Sequence, residues 1–174
     1  QYGKEARVVI GISFKIKNEY DNIFYQIFKS INFENYRWDI VQDEIYDSVG
    51  KNYFDQASYS NEEFKKLVEY GTYYPVFANI QIYRIQDEIE DIQTYEDFIS
   101  SKCQLALFIV DNEFVDIYVK NETWLNIIYQ NAIDNNFEDI QYIEENKDDI
   151  RQNFSVYESP SKNFLSPIGA SMSA

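Results

Sequence analysis

The 174-residue chain contains no histidine. That removes the commonest general base, the nucleophile–histidine triads and the imidazole ligands of most transition-metal sites. Its one cysteine, Cys103, cannot form an intramolecular disulfide, which suits a reducing, cytoplasmic setting. Five glycines are scattered, and no GxGxxG or GxxxxGK phosphate loop occurs. No apolar run approaches the roughly 18 residues of a membrane helix, and no apolar stretch of signal-peptide type opens the chain. The chain starts at Gln1 and its one methionine is Met172, so the expectation is that the native start is missing, processed or replaced.

Basic residues are also scarce: 15 against 30 acidic ones, a formal net charge of −15. Such a field repels nucleic acid and anionic membrane and attracts basic surfaces. Direct nucleic-acid binding needs clustered Lys and Arg, which are missing here, whereas mimicry of nucleic acid remains compatible. The acidity is not that of a disordered chain, because sixteen Tyr and thirteen Phe supply a core. The length suits one domain, expected over 1–157. The tail, 158–174, ends in Gly169-Ala170-Ser171-Met172-Ser173-Ala174, which reads as an appended linker.

Val8, Ile10, Ile12, Phe14 and Ile16 recur with period two and mark a strand with one buried face. Asn18 then offers a cap to a helix carrying Tyr20, Phe24, Ile27, Phe28 and Ile31. Arg37–Tyr46 is expected extended, with a less regular pattern around Trp38, Ile40, Val41 and Ile45. A loop over 47–60 leads to Ser60, a cap for a short helix that Gly71 would stop. Val76–Tyr83 is a second one-faced strand, 86–93 a solvated acidic turn, and Thr94 with Asp97 resembles a capping box. Leu105–Val110 reads as a strand buried on both faces, joined by a tight turn to Phe114–Val119. Asn121 caps the strongest helix, with Trp124, Leu125, Ile128, Tyr129 and Ala132 in one stripe. Phe137–Ile143 is a last strand, and 144–150 an acidic segment of helical character. This order predicts an α+β fold: a single mixed, mostly antiparallel sheet with about three helices packed on one face.

Gly11-Ile12-Ser13-Phe14 with Asn18-Glu19-Tyr20, Ile31-Asn32 through Tyr36-Arg37-Trp38, Thr94-Tyr95-Glu96-Asp97-Phe98, Cys103-Gln104-Leu105 to Val110-Asp111, and Val115-Asp116-Ile117-Tyr118 belong together. In these stretches the chain resembles a family of small uncharacterised proteins from spore-forming Gram-positive bacteria, over about residues 8–157. The resemblance implies one cytoplasmic domain and carries no activity or site.

The candidate site residues are carboxylates and tyrosines. Asp87, Glu88, Glu90 and Asp91 form one dense run, without a lysine beside it in sequence. Glu144 and Glu145 begin another, continued by Asp148 and Asp149 and diluted by Lys147. Either run is ordinary solvated surface or a docking patch for a basic protein. Asp111, Glu113 and Asp116 surround one hairpin and read as a solvated turn, since no Asp-x-Asp-x-Asp-Gly loop is present. The aromatic pairs Tyr36/Trp38 and Tyr53/Phe54, and Tyr70, Tyr73 and Tyr74, exceed the needs of a small core, and Tyr73 with Tyr74 is the favoured contact pair. Cys103 precedes a buried strand and reads as structural.

The expectation is a non-enzymatic interaction protein, without metal or cofactor. It would bind and inhibit a basic protein surface, as immunity or anti-defence proteins do, with nucleic-acid mimicry as the nearest variant. A small-ligand binder or carboxylate-based enzyme is the alternative, to be recognised by an apolar pocket holding two acids. A domain whose charge serves only solubility is the third reading.

Overall fold

The structure is a computed structural model and describes residues 8–145 together with Phe154. The first period-two run forms strand β1 (Val9–Lys15). It leads to helix α1 (Ile23–Phe28), whose Ile23, Phe24, Ile27 and Phe28 are all buried. Asn18 is not its cap: the helix starts after Asn22, without a side-chain capping bond. The Asn18 carboxamide oxygen instead accepts from the Tyr74 hydroxyl and from the Asn112 amide. Strand β2 (Tyr36–Tyr46) follows, then β3 (Ser58–Ser60), a short strand within the stretch expected to be loop.

Helix α2 (Asn61–Tyr70) opens on a reciprocal capping box between Ser60 and Glu63. Gly71 ends it with extended backbone, φ −112°, rather than a left-handed turn. Its requirement is space: a Cβ there would meet the Tyr53 hydroxyl at 1.7 Å. Strand β4 (Tyr74–Arg84) precedes α3 (Tyr95–Ser100), where the Thr94/Asp97 box forms in both directions despite the short aspartate. Strands β5 (Leu105–Val110) and β6 (Phe114–Val119) make a hairpin. Its turn residues Asp111 and Asn112 both take left-handed backbone, φ 57° and 52°, which these short polar side chains tolerate. Helix α4 (Glu122–Asp134) is capped by Asn121 as expected, and strand β7 (Glu138–Glu144) follows. Residues 146–150 of the anticipated acidic helix, and the 158–174 tail, lie outside the described residues.

One sheet runs β3-β2-β4-β5-β6-β1-β7, with every neighbouring pair antiparallel. The fold is α+β. Strands β6 and β7 both pair with β1, so α4 carries the chain over β1 from one side to the other. Helices α1, α2 and α4 cover one face, packing Phe24, Phe64, Val68, Trp124 and Ile128 against Ile12, Trp38, Ile80, Leu107 and Ile117. Helix α3 is a fourth helix, on the opposite face, where Tyr95 and Phe98 join Tyr83, Ala106, Phe108, Tyr118 and Phe154. Burial on both faces is why Leu105–Val110 is continuously apolar.

Two local features account for irregular patterning. The β2–β4 pairing steps from Ile40/Ile80 to Gln42/Asn79, leaving Val41 as a bulged residue that is 43% exposed. In β1, Gly11 faces Tyr118 so closely that a Cβ would lie 2.2 Å from the Ile117 carbonyl oxygen.

Candidate functional site

The acidic run at 86–93 is not a loosely solvated turn. Its anchor is Arg37, on the α3 face of β2. The Arg37 Nε donates to both carboxylate oxygens of Asp39, at 3.0 and 3.2 Å. One terminal nitrogen donates to the carbonyls of Arg84, Ile85 and Asp87. The Tyr83 hydroxyl donates to Gln81 and accepts the Glu90 amide at 3.0 Å, while Ile92 is buried beside Tyr83. Burial pushes the Tyr83 phenol well above its ordinary range, so it stays protonated and remains a donor.

These ties sort the four acids. Asp87 is withdrawn: its side chain is 11% exposed and lies 3.8 Å from the Lys102 ammonium. Lysine is thus near in space, through Lys102, although none is near in sequence. Glu88, Glu90 and Asp91 are exposed. The Glu90 carboxylate accepts the Lys102 amide, and that of Asp91 accepts the Gln93 carboxamide. Glu144 and Glu145 are exposed at the end of β7, where the Glu145 amide donates to Val8. Tyr95 ties the two runs together. Its phenol is pushed up to about 12, first by burial and then by the nearby Glu145 carboxylate. Ile143, Ile92 and Tyr95 pack on the same apolar cluster. The acids following Ile143 and preceding Ile92 therefore border one α3-side surface, with Glu96 and Asp97 exposed on the helix itself.

The tyrosine pair divides. Tyr73 is fully buried, stacked on Phe24 with ring centroids 5.4 Å apart. Its hydroxyl donates to the Val68 carbonyl and accepts the Phe24 amide, joining α2 to α1. Packing and two satisfied hydrogen bonds remove it from any contact surface. Tyr74 is half-buried, with its ring 5.0 Å from Tyr20 and its hydroxyl on Asn18. The widely exposed tyrosine is Tyr70, at 81%, in the last turn of α2.

Cys103 is fully buried and donates its thiol to the Leu105 carbonyl. Burial pushes that thiol up to about 12, so no useful thiolate exists at neutral pH. Lys15 lies between Glu113 and Asp139, at 4.0 and 3.3 Å, and Asp116 points to the α3 face opposite Ser13. Among the described residues no group of three acidic, cysteine or histidine side chains is placed to hold a metal ion. Also among them, no helix is long and apolar enough to cross a membrane. The Asp43 pKa is raised from the ordinary aspartate value, first by burial and then by Glu44. Sequence reasoning does not single out Arg37, Asp39 or Asp43. The available signal is the alternation of β2, which sets Arg37 and Asp39 opposite Trp38 and Ile40.

A family model described as "Protein of unknown function (DUF2691)" matches residues 9–155. "Uncharacterized protein YncE" of Bacillus subtilis (strain 168) is 32% identical over 145 residues, covering 79% of this chain and 94% of that protein. No solved structure matches the chain.

Proposed function

The chain belongs to the DUF2691 family of proteins of unknown function, and from its own surface chemistry we propose that it is a non-enzymatic acidic interaction protein that docks on, and inhibits, a basic protein. The observation that carries this is that two acidic runs, over fifty residues apart in sequence, flank one apolar cluster: Ile92 and Ile143 both pack with Tyr95 of α3, and the Glu145 carboxylate acts on the Tyr95 phenol. Acidic side chains exposed on one surface set up a negative field, and a cationic partner is steered toward it. The contact acids are Glu88, Glu90, Asp91, Glu144 and Glu145, with Asp87 and the Arg37–Asp39 pair holding the first run in place. A nucleic-acid-binding protein is the natural target class, since its basic groove suits a row of carboxylates.

A carboxylate enzyme has less support. Asp43 and Glu44 are adjacent on one strand, so their side chains leave opposite faces of the sheet and do not share a pocket. The cytoplasm is the proposed compartment, on the strength of the buried free thiol and the Bacillus relative.

Affinity capture from lysate of the source organism, at low and at high salt, tests the reading. A basic protein held at low salt and released at high salt supports it. Recovery of no partner at either salt sinks it.

A further inference from the structure

The helix layer contains a cleft of about 330 Å³ between α1, α2 and the turn after α1. That volume falls in the range of small-ligand pockets, roughly 300–1,000 Å³. Its walls are aromatic. Trp38 lies flat on Phe64, ring centroids 4.0 Å apart and planes at 9°, and meets Phe28 and Phe33 edge-on at 5.0 Å each. The Trp38 indole N–H is buried without an acceptor. Ser30, in the turn at the mouth, has left-handed backbone, φ 76°.

The charge of the cleft is inverted relative to the chain. Carboxylates outnumber basic residues by 30 to 15 overall, yet none lines this cleft, and Lys29 and Lys65 both do. Both lysines are exposed. Neither forms an ion pair among the described residues, and Lys29 rests over the Tyr25 ring at 5.9 Å. The contrast is the groove beside β1 and α4, where Lys15 and Lys17 are mixed with Glu19, Asp21, Glu113 and Glu138. A cleft with aromatic walls, a cationic rim and an unused buried donor has the recognition elements for one kind of guest.

We propose that this cleft binds a small organic anion with a flat apolar body, seated between the aromatic walls with its acidic group at Lys29 and Lys65. The two ammonium groups offset locally the field of a −15 chain that would otherwise turn an anion away. An acceptor atom on the inner edge of the guest would answer the Trp38 N–H. The cleft lies on the opposite face of the sheet from α3, so this inference stands or falls apart from the docking proposal.

Titration of the full chain with 2-naphthoate and its neutral isostere 2-naphthamide, by calorimetry and by the Trp38 indole N–H resonance, tests it. The acid should bind and shift that resonance, with the amide about fivefold weaker, the discrimination expected of two partly exposed charge pairs. Lys29→Gln/Lys65→Gln should lower acid binding to the amide level and leave the amide unchanged. Lys51→Gln/Lys66→Gln, with the same charge change at other exposed lysines, should keep the preference. Failure of both compounds to bind, equal binding of the two, or a preference that survives Lys29→Gln/Lys65→Gln would overturn the proposal.

Discussion

Arg37 and Asp39 form an ion pair whose side chains are 19% and 7% exposed, with the guanidinium Nε 3.0 Å from the carboxylate Oδ2. The same guanidinium reaches the backbone carbonyls at the start of the 86–93 segment, so one pair joins the sheet to the acidic loop.

Arg37→Ala leaves Asp39 buried and unpaired, and should lower stability by about 3–5 kcal/mol. Hydrogen exchange of the Glu90 amide, which donates to Tyr83, should rise as the loop loosens. Removing both charges, as Arg37→Met/Asp39→Leu, should recover part of the stability, because no orphaned charge remains. Chemical denaturation of the three proteins checks the order.

Gly11→Ala and Gly71→Ala should differ in severity. The added methyl at position 11 meets a backbone carbonyl of β6 that cannot withdraw without breaking the ladder, and the loss should exceed about 3 kcal/mol. At position 71 it meets the end of the Tyr53 side chain, and about 1–2 kcal/mol is expected. Tyr53→Phe should suppress part of the second loss and none of the first.

Asp43 governs a pH effect. Its pKa is raised in the folded state, so the folded protein binds a proton that the unfolded chain has released. Stability therefore falls as pH rises from the ordinary carboxylate range through the raised value, and stays lowered at neutral pH. Asp43→Asn should be more stable than the native protein at pH 7 and equal to it below about pH 4. Melting temperatures of the two across that interval give the test.

Cys103, fully buried with its thiol near 12, should react with a disulfide reagent at neutral pH only as fast as the protein opens. The labelling rate should stay far below that of a free thiol without denaturant and reach it only above the unfolding midpoint.

Periodicity makes most of the fold legible in the sequence. β1, β4, β5, β6 and α4 follow directly from runs of alternate or helically spaced apolar residues, and Ser60 as a cap and Thr94 with Asp97 as a capping box are visible in the sequence. The features that stay hidden depend on contacts distant in sequence. Val41 gives no sign that it is a bulge, because a bulge is a property of the pairing with β4. Asn18 has cap chemistry, but Tyr74 and Asn112 claim its side chain. Tyr73 and Tyr74 look alike in sequence, but Tyr73, bridged to Asp21 just before β4, enters the helix layer, and Tyr74, the first residue of β4, is left half-open. Asp87 reads as surface until Lys102 is folded against it. The family resemblance adds the extent of the domain and nothing about its surface.

The central claim is that the α3-side acids form a specific docking surface and do more than contribute bulk charge. It is tested most directly by comparing two variants with the same change in charge, using whichever basic protein is captured. One replaces Glu88, Glu90, Glu144 and Glu145 with glutamine. The other replaces Glu19, Glu62 and Glu122 with glutamine and Asp134 with asparagine, exposed residues on or beside the helices of the opposite face. The account expects the first to lose about tenfold or more in affinity, roughly 1.4 kcal/mol, and the second to bind as the native protein does. Equal loss in both, or none in the first, would contradict it.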